Sequence, residues 1–476
     1  MVDQHRWAAL LEGWLALPGP RYARLGEALR KAIREGRLGA RDPLPPERTL
    51  AALVGVSRTT VVTAYDALAA EGWIERRQGS GTRVAAAAPR RHRVLTLRTP
   101  AGGVAGDLDF TIAVPLLDDD QRAELASFGP DAFADAAYHP LGLPALRDAL
   151  AARYCAEGLA TRPEQIVVTT GAQQGISLAI AAFLRPRDAC LIESPTFFGA
   201  IDALRAAGAR LVGVPVGEEG VDPGQFASLL TARQPRLAFL TPTFQNPTGT
   251  VLPREARGQV GAALARTGVP LIEDDSLVDL SFGLVPPPRI AAAAPDAHVI
   301  SIGSLSKLYW AGLRVGWMRV PDDLVPRLVQ TKTLADFGSS IPSQQLAVRV
   351  IESLDRHIAR RREAALPARD LLVGLLRHRL PMAEFRVPDG GQFLWVKLPT
   401  RNATGYTQVA AAHGVRVFPG AAMGVLPLED SWLRLPFTLP VAVLPEAVDR
   451  MAAAWAEFAS GDVRPRIATT NARRRN

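Results

Sequence analysis

The chain contains very little cysteine. Its 476 residues include only Cys155 and Cys190, and neither has histidine or cysteine neighbours at the spacing of metal ligands. A disulfide scaffold and a zinc module are therefore poor explanations of the fold, and no metal is predicted. The same scarcity fits a reducing compartment, so the predicted location is the cytoplasm.

Long apolar runs are also missing. No stretch reaches the roughly 18 apolar residues that a membrane-spanning helix needs, and the longest candidate, residues 175–184, is too short. The opening residues, MVDQHR, lead into no apolar run of the kind found in signal peptides. We therefore predict neither secretion nor a membrane partner.

Lysine is scarce in a chain that is otherwise basic. Only four of the 55 basic residues are lysines, namely Lys31, Lys307, Lys332 and Lys397. All other basic residues are arginines. A lysine in such a chain therefore suggests a role that an arginine could not fill. A lysine amine can form a Schiff base with an aldehyde, and a guanidinium cannot.

Charge is distributed unevenly along the chain. The net charge is +8, with +8 on residues 1–98 and +5 on residues 464–476, which leaves −5 on the residues between them. A basic head on a mildly acidic body is typical of a nucleic-acid-binding domain joined to a domain of another kind. A codon bias toward arginine would not explain the acidic body. The basic tail either assists DNA binding or is simply solvated, and we favour the second interpretation.

The residue pattern predicts four parts. They are a head over residues 1–84, a linker over 85–107, a body over 108–460 and a disordered tail over 461–476. Within the body, short apolar runs alternate with helical patterns, which predicts a mostly parallel α/β sheet. After Leu324, long helical patterns with few strands predict a smaller C-terminal α+β lobe. The predicted strands are 166–169, 189–192, 210–214, 237–240, 270–273 and 298–302, and the predicted helices between them include 173–184 and 198–207.

The head has the pattern of a winged helix-turn-helix. A first helix is predicted over residues 22–35, and a short second helix ends at Gly55. The next helix, Arg58–Ala70, has Ser57 as its N-cap, and the tight turn before it makes a helix-turn-helix. Residues 73–84 then predict a β-hairpin wing with a Gly-Ser-Gly turn.

We predict that this head binds double-stranded DNA. An arginine at the start of a recognition helix can pair bidentately with guanine, and wing arginines can contact phosphates. The alternative is a small helical dimerisation domain with solvated arginines. The predicted DNA-contacting residues are Arg48, Ser57, Arg58, Thr59, Thr60, Arg76, Arg77, Gly79 and Gly81.

One of the four lysines lies in a loop suited to a phosphorylated aldehyde. Lys307 follows the predicted strand 298–302 in the run SLSK, and Arg314 comes seven residues later. The amine can capture an aldehyde, while the neighbouring hydroxyls and guanidinium can hold a phosphate. An aldehyde and a phosphate together describe pyridoxal 5′-phosphate (PLP). The alternative is a surface lysine in a polar loop.

Further loops beyond predicted strands strengthen this interpretation. Gly171 precedes a helix whose N-terminal N–H groups can bind a phosphate. Phe197 can stack on a pyridine ring, and Asn246, in the run NPTG, can hydrogen-bond a phenolic oxygen. A carboxylate in the run EDD, residues 273–275, can keep the pyridine nitrogen protonated, which makes the ring an electron sink. Each of these residues alone has an ordinary structural explanation. Separate structural roles do not explain why five such loops follow strands of one sheet.

Both halves of the chain resemble known families. The run LPPERTLAALVGVSRTTVVTAYDALAAEGWIERRQGSGTRV resembles the winged helix of the GntR family along nearly its whole length. Residues 138–434 resemble the aspartate-aminotransferase-like superfamily, fold type I of the PLP-dependent enzymes, on the specific motifs NPTG and SLSK…GLRVG. The resemblance implies a winged helix-turn-helix joined to an α/β fold type I transferase body, with PLP as the cofactor.

The resemblance also implies roles for particular residues. Lys307 is the lysine of the internal aldimine, and Asp274 pairs with the pyridine nitrogen. Arg434 resembles the arginine that binds the α-carboxylate of an amino acid. Tyr138 resembles the tyrosine that reaches the phosphate of the partner subunit, which implies a homodimer. The other implied cofactor-binding residues are Asn246 for the phenolic oxygen, Phe197 for the ring, and Ala172, Gln173, Ser304, Ser306 and Arg314 for the phosphate.

One position departs from the family pattern. The family usually places a tyrosine shortly after the strand-end aspartate, whereas this chain has Ser276 and no tyrosine before Tyr309. Loss of that partner of the phenolic oxygen should slow proton transfers, so it argues against efficient transamination more than against cofactor binding. Asp274 and Asp275 both stay open as the partner of the ring nitrogen.

The combination resembles the MocR family of bacterial transcription regulators. The resemblance implies a homodimer arranged head to tail, whose body senses an amino acid, an amine or PLP itself through an aldimine on Lys307. A ligand that exchanges with Lys307 and engages Arg434 would give the body two states, which couples the ligand to DNA binding. Two alternatives stay open: an aminotransferase with an accessory DNA-binding head, and a GntR-type repressor whose body binds no cofactor.

Overall fold

The structure is a computed structural model, and its contacts divide the chain into two units, residues 1–94 and residues 95–476. The first unit is the basic head and the second is the body. The predicted tail, residues 461–476, lies outside the described residues, as do residues 86–106 of the predicted linker. The described residues are 7, 10–11, 14–16, 20–34, 38, 42–70, 73–77, 81–85, 107–111, 113–114, 117–127 and 137–460.

Three helices and a hairpin make up most of the described head. The elements are α1 (Arg21–Arg34), α2 (Glu47–Val54), α3 (Arg58–Ala70), β1 (Ile74–Arg77) and β2 (Gly81–Val84). Strand β1 pairs with β2 in antiparallel register, and Leu44 N–H donates to the Thr82 carbonyl beside the hairpin. These bounds confirm the predicted helix-turn-helix and wing.

The core of the head forms on the helix faces that the residue spacing predicts. Residues at i, i+3, i+4 and i+7 share one face of a helix, and in α3 this face is fully buried. Tyr65 Oη donates to the Pro45 carbonyl at 2.9 Å, which ties α3 to the loop before α2. The fully buried residues of α1 and α3 include Leu25, Leu29, Val61, Ala64, Tyr65 and Leu68. The same core also includes four residues that no sequence pattern predicted, namely Trp7, Leu10, Leu11 and Trp14.

The described body contains fourteen strands and twelve helices. Its strands are β3 (Leu108–Asp109), β4 (Ile166–Thr169), β5 (Ala189–Ser194), β6 (Arg210–Gly217), β7 (Gly220–Val221), β8 (Leu237–Leu240), β9 (Leu271–Asp274), β10 (Val299–Ser304), β11 (Gly316–Arg319), β12 (Glu384–Phe385), β13 (Phe393–Lys397), β14 (Val415–Arg416), β15 (Phe418–Pro419) and β16 (Trp432–Pro436). Its helices are α4 (Asp119–Ala126), α5 (Pro144–Ala156), α6 (Ala172–Phe183), α7 (Phe198–Ala206), α8 (Pro223–Arg233), α9 (Arg254–Thr267), α10 (Ile290–Ala293), α11 (Val325–Asp336), α12 (Ile341–Glu352), α13 (Leu354–Arg379), α14 (Ala403–Ala412) and α15 (Leu444–Ser460).

An eight-stranded sheet forms the centre of the larger lobe. Its strand order is β4-β11-β10-β9-β8-β5-β6-β7. Strands β11 and β7 run antiparallel to their neighbours, and the others run parallel to one another. Central strands such as β8 and β9 are buried throughout, because helices cover both faces of a parallel sheet. The predicted mostly parallel α/β sheet is confirmed, although β7 and β11 were not predicted.

A second core supports the smaller lobe. Strands β12, β13, β16 and β15 form an antiparallel sheet, and β14 pairs with β3. The cluster of buried side chains around them is separate from the two clusters that flank the large sheet. The smaller α+β lobe is confirmed, but it is not purely C-terminal because its β3 comes from the start of the body.

Neither a membrane-crossing helix nor a cluster of metal ligands occurs among the described residues. None of their helices combines the length and the apolar character that crossing a bilayer requires. Among the same residues, no three His, Cys, Asp or Glu side chains are grouped as ligands of a metal ion.

Candidate functional site

A cavity of about 380 Å³ lies at the carboxyl ends of the parallel strands of the larger lobe. Ligands of open α/β sheets bind in such crevices, where the loops after several strands meet. Ten of the eleven body residues predicted from the sequence line this one cavity, and only Tyr138 does not. The ten are Ala172, Gln173, Phe197, Asn246, Asp274, Ser304, Ser306, Lys307, Arg314 and Arg434.

Lys307 lies in the loop after β10 and reaches into the cavity. Its Nζ donates to the Ala113 carbonyl at 2.7 Å. Burial and the positive charge of Arg434 lower the pKa of Lys307 to about 8, and the charge of Asp274 partly opposes this shift. Near neutral pH, a larger share of this lysine is therefore the neutral amine, which is the nucleophilic form.

Asp274, at the end of β9, is the aspartate that faces the cavity. Its Oδ1 accepts two hydrogen bonds from Ser276, from N–H at 3.0 Å and from Oγ–H at 2.6 Å. Burial raises the pKa of Asp274, although these hydrogen bonds and Lys307 oppose the shift. The next residue, Asp275, turns the other way and accepts from Arg289 Nε at 2.6 Å. Of the two aspartates that stayed open, only Asp274 lines the cavity.

The structure also locates the position where the family pattern has a tyrosine. Ser276 occupies it, lines the cavity and donates to Asp274. Tyr309, the next tyrosine in the sequence, donates to Glu124 Oε2 at 3.0 Å and does not line the cavity. No tyrosine of the described residues therefore replaces the missing partner.

An anion cradle forms where helix α6 begins. Gly171 precedes the helix, and no side chain caps its N-terminus. Arg314 Nη2 donates to the Thr170 carbonyl, and a Cβ built on Gly171 would lie 2.8 Å from this nitrogen. The hydroxyls of Ser304 and Ser306 are 3.1 Å apart on the same side of the cavity. An uncapped helix terminus, two hydroxyls and a guanidinium together suit a phosphate group.

Arg434, on β16 of the smaller lobe, is buried, and none of the described residues forms an ion pair with it. Its Nη2 donates to the Thr111 carbonyl at 2.8 Å, and its Nε is buried with no hydrogen-bond partner. The guanidinium carbon lies 4.6 Å from the ring centre of Phe393 and 4.7 Å from that of Phe418. Burial lowers the pKa of Arg434 to about 9. A carboxylate ligand would supply the missing charge and a partner for Nε.

Further side chains of the cavity could contact the ring and the phenolic oxygen of PLP. Asn246 Oδ1 is buried without a hydrogen-bond partner, so this amide has capacity for a ligand. Phe197 presents an aromatic ring, and Gln173 Nε2 donates to the Gly199 carbonyl at 3.0 Å beside it. With the amine of Lys307 and the carboxylate of Asp274, this donor set matches the phosphate, phenolic oxygen, ring nitrogen and aldehyde of PLP. The residues fit the cofactor.

Several cavity residues were missed by the sequence analysis. Thr111, Ala113 and Val114 line the cavity from the start of the body, where no motif marks them. Behind the lining residue Thr241, Glu193 is 2% exposed and accepts from Thr241 N–H at 3.0 Å, and burial raises the pKa of this carboxyl to about 8. Strand β5 is buried along its whole length, and its apolar run contains no signal for such a buried acid. The other unpredicted lining residues are Phe198, Gly199, Thr241, Leu277, Ala311 and Phe393.

Tyr138 lies outside the cavity. It is 82% exposed, and its ring centre is 6.0 Å from that of Phe337, which is 59% exposed. Leu334, in the last turn of helix α11 just before Phe337, is also exposed. A tyrosine predicted to serve a partner subunit is expected to be exposed in the single chain, but this placement alone does not test that role.

The start of helix α3 is the candidate DNA interface of the head. Thr60 N–H donates to Ser57 Oγ at 3.1 Å, which confirms Ser57 as the N-cap. Arg58 and Thr59 are exposed on the first turn, and Arg48 is exposed on α2. Gly81 is exposed where β2 begins. Gly79 and the side chains of Arg76 and Arg77 lie outside the described residues, so their predicted contacts stay predictions.

Comparison with known families gives one match in the body and another in the head. Residues 134–451 match the family described as aminotransferase class I and II. Residues 21–84 match the family described as bacterial regulatory proteins, gntR family. The two matches confirm both resemblances drawn from the sequence motifs.

The relatives of this chain include transcriptional regulators and an aminotransferase. The HTH-type transcriptional regulator YdcR of Escherichia coli (strain K12) is 30% identical over 434 residues, which cover 84% of this chain and 91% of that protein. The probable rhizopine catabolism regulatory protein MocR of Rhizobium meliloti is 32% identical over 67% of this chain and 72% of its own length. The crystal structure of LysN, an alpha-aminoadipate aminotransferase from Thermus thermophilus complexed with N-(5′-phosphopyridoxyl)-L-leucine, is 29% identical. Its TM-score is 0.69, over 75% of this chain and 94% of that chain.

Proposed function

Because the chain belongs to the MocR-type family of transcriptional regulators, a GntR winged helix joined to an aminotransferase class I and II body, we propose that its body binds PLP and senses an amino acid or amine. The observation that carries this proposal is the convergence of ten predicted residues, from several loops and both lobes, on one cavity. If each residue had only a local structural role, nothing would require all ten to line the same cavity. We further propose that the protein acts in the bacterial cytoplasm.

The residues of the cavity would hold PLP as follows. The start of α6 with Ser304, Ser306 and Arg314 would bind the phosphate. Asp274 would pair with the ring nitrogen, and Phe197 would stack on the ring. Asn246 would hydrogen-bond the phenolic oxygen. When bound, PLP supplies an aldehyde that captures primary amines and a ring that accepts electrons.

The chain's own side chains would then select and hold the ligand. Lys307 is the amine that anchors the cofactor, and its lowered pKa keeps Nζ available as a nucleophile. Arg434 would bind a ligand carboxylate with the planar fork of its guanidinium. Ser276 donates to Asp274 and would hold this carboxylate in place beneath the ring nitrogen. A ligand that engages Arg434 changes the contacts of both lobes, which gives the body two states.

We propose that the protein is a homodimer that binds two DNA half-sites. The exposed Tyr138 would reach the phosphate site of the partner subunit, in the head-to-tail arrangement implied by the family. Arg58 at the start of α3 would read a guanine in the major groove, and Arg48 would contact phosphate. Because phosphate contacts release counterions, specific binding should weaken steeply as salt rises.

The lowered pKa of Lys307 makes a testable prediction about pH. Only the neutral amine captures an aldehyde, so the capture rate should rise with pH and level off above about pH 8, rather than continuing to rise toward the ordinary value of 10.5. The rate is measured as borohydride-trapped PLP on the cofactor-free protein. In Arg434→Gln the plateau should move to higher pH, because the charge that disfavours the Lys307 ammonium is gone. A rate that climbs unchanged through pH 8 would contradict the assignment.

The cradle at Gly171 makes a second prediction. Gly171 has φ of +99°, and an alanine Cβ there would displace the Arg314 guanidinium. We expect Gly171→Ala to weaken PLP binding about tenfold, the size of one lost charge-assisted hydrogen bond. Gly268→Ala is the matched control, because Gly268 also has positive φ, at +66°, but has open space for a Cβ. This control should lower the melting temperature and leave PLP affinity unchanged. Equal losses of PLP affinity in the two variants would contradict a phosphate-binding role for the cradle.

A turnover assay separates the sensor from the aminotransferase alternative. The cavity is complete enough to bind an amino acid, but Ser276 stands where efficient transaminases of this superfamily usually have a tyrosine. We therefore expect the PLP-loaded protein to change its absorption spectrum with amino acids without sustained formation of 2-oxo acids. Rapid multiple turnover would instead support an aminotransferase with an accessory head. A colourless protein after purification with PLP would support a body that binds no cofactor.

A further inference from the structure

Two cations of the candidate site donate to carbonyls of one short stretch of chain. Lys307 Nζ donates to the Ala113 carbonyl at 2.7 Å, and Arg434 Nη2 donates to the Thr111 carbonyl at 2.8 Å. We call this stretch the strap, defined as the described residues 107–111 and 113–114. The strap therefore contacts both the residue that would anchor the cofactor and the residue that would bind the ligand carboxylate.

The strap runs from one lobe to the other. In the smaller lobe, Leu108 N–H donates to the Gly414 carbonyl at 3.0 Å, and Phe110 N–H donates to the Arg416 carbonyl at 2.8 Å. Phe110 is fully buried in the core of that lobe, whereas Ala113 is buried in the core of the larger lobe. Thr111, between these two anchors, lines the cavity. Displacing the strap at Thr111 therefore changes how the two lobes are connected.

The position of the strap in the sequence links it to the head. The head's last described residue is Ala85, and the strap is the first described part of the body after residues 86–106. No other covalent path joins the two units within one chain. The strap is therefore the described part of the body that lies nearest in sequence to the DNA-binding head.

The Thr111 carbonyl accepts a hydrogen bond from Arg434 Nη2, a donor that a carboxylate ligand would also need. Arg434 is buried, and its Nε has no partner, so the strap satisfies this guanidinium only in part. A carboxylate can accept two parallel hydrogen bonds from a guanidinium, whereas a carbonyl neutralises no charge. A carboxylate ligand should therefore win the competition for Arg434.

We propose that the strap reports the ligand to the head, because a ligand carboxylate takes Arg434 from the Thr111 carbonyl and releases the strap. This rests on the proposed function of the cavity as the ligand site. The effector class that follows is an amino acid, since an amine without a carboxylate leaves the bond between Arg434 and Thr111 in place. Binding of the ligand carboxylate and the hydrogen bond from Arg434 to Thr111 then compete, so each weakens the other, as linked equilibria require.

Hydrogen exchange of the full-length, PLP-loaded protein tests the first step. In Arg434→Gln without added ligand, the backbone amides of residues 107–114 should exchange about tenfold faster, because one charge-assisted hydrogen bond is lost. Arg369→Gln is the control, since Arg369 Nη1 also donates to a carbonyl, that of Pro388, at 3.1 Å. Melting curves confirm that both variants fold. Unchanged exchange of the strap in Arg434→Gln would overturn the proposal.

Matched ligand pairs test the second step. L-leucine and L-phenylalanine suit the apolar walls at Phe198, Leu277 and Phe393, and 3-methylbutylamine and 2-phenylethylamine lack only the carboxylate. The amino acids should speed exchange of the strap in the wild-type protein, and the amines should not, even where they change the absorption spectrum. A spectral response to amino acids with an unchanged strap would overturn the proposal and leave the proposed function standing. The absence of any spectral response would overturn ligand sensing itself, and the Arg434→Gln comparison would still decide whether Arg434 holds the strap.

A variant at the anchor of the strap gives an independent result. Asp109 Oδ1 accepts from Thr111 N–H at 2.8 Å and from its Oγ–H at 2.5 Å. Asp109→Ala should loosen the strap and raise the affinity for the responding amino acid about threefold or more. Asp430→Ala is a close control, because Asp430 Oδ1 accepts the same two bonds from Thr404 at 3.0 and 2.9 Å. Equal or weaker binding in Asp109→Ala, relative to this control, would contradict competition between strap and ligand.

Discussion

Replacing Lys307 by alanine should abolish covalent capture of PLP while leaving the fold and the DNA head intact. Arg314, Ser304, Ser306 and Asp274 would remain to hold the cofactor without a covalent bond. DNA affinity should therefore persist, but it should no longer respond to PLP or to amino acids. The measurements are trapping with borohydride and DNA-binding titrations with and without amino acids.

A second lysine provides the control for this experiment. Lys397 lies in the smaller lobe, with its Nζ 3.8 Å from Glu429 Oε2, and does not line the cofactor cavity. Lys397→Ala should retain trapping and retain the response of DNA binding to ligands. A Lys307→Ala protein that still traps the cofactor, or that still responds to amino acids, would show that the sensing lysine is elsewhere.

Replacing Arg58 by alanine should cost specific DNA binding about 1–3 kcal/mol, the range for an arginine that reads a guanine. Arg58 is exposed on the first turn of α3, and Ser57 caps that turn, so the guanidinium can reach the major groove without deforming the helix. The measurement compares affinity for a selected operator with affinity for unrelated DNA. The loss should be concentrated in the specific complex.

The matched control removes the same charge elsewhere in the head. Arg21 is exposed at the start of α1 and is not among the predicted DNA-contacting residues. Arg21→Ala should produce only a small loss that is the same for all sequences and that shrinks with salt. If Arg58→Ala gives the same small, sequence-independent loss, Arg58 is a phosphate contact and the specificity lies on other residues.

The parts that could be predicted from the sequence are those encoded by local patterns. The helix-turn-helix follows from the capping at Ser57 and the apolar spacing of α3, both of which involve residues a few positions apart. The candidate cavity follows from motifs at strand ends, because the carboxyl ends of parallel strands meet at one edge of the sheet. Asp274 was favoured by resemblance, and the structure separates it from Asp275 because successive residues of a strand point to opposite faces.

The parts that could not be predicted depend on contacts distant in sequence. The bonds from Lys307 to Ala113 and from Arg434 to Thr111 span 194 and 323 residues, and their acceptors are backbone carbonyls, which no residue type identifies. The bond between Ser276 and Asp274 is short-range, but resemblance drew attention to the missing tyrosine rather than to the serine. The burial of Trp7 and Trp14 in the head core was missed because isolated aromatic residues give no period.

Mapping of the trapped cofactor tests the central claim most directly. Wild-type protein is purified with PLP, its absorption spectrum is recorded, and borohydride is added before proteolysis and mass spectrometry. We expect a visible band that borohydride removes and a phosphopyridoxyl label on Lys307 alone. A protein without such a band, or with its label on Lys31, Lys332 or Lys397, would contradict the assignment of the cavity as a PLP sensor site.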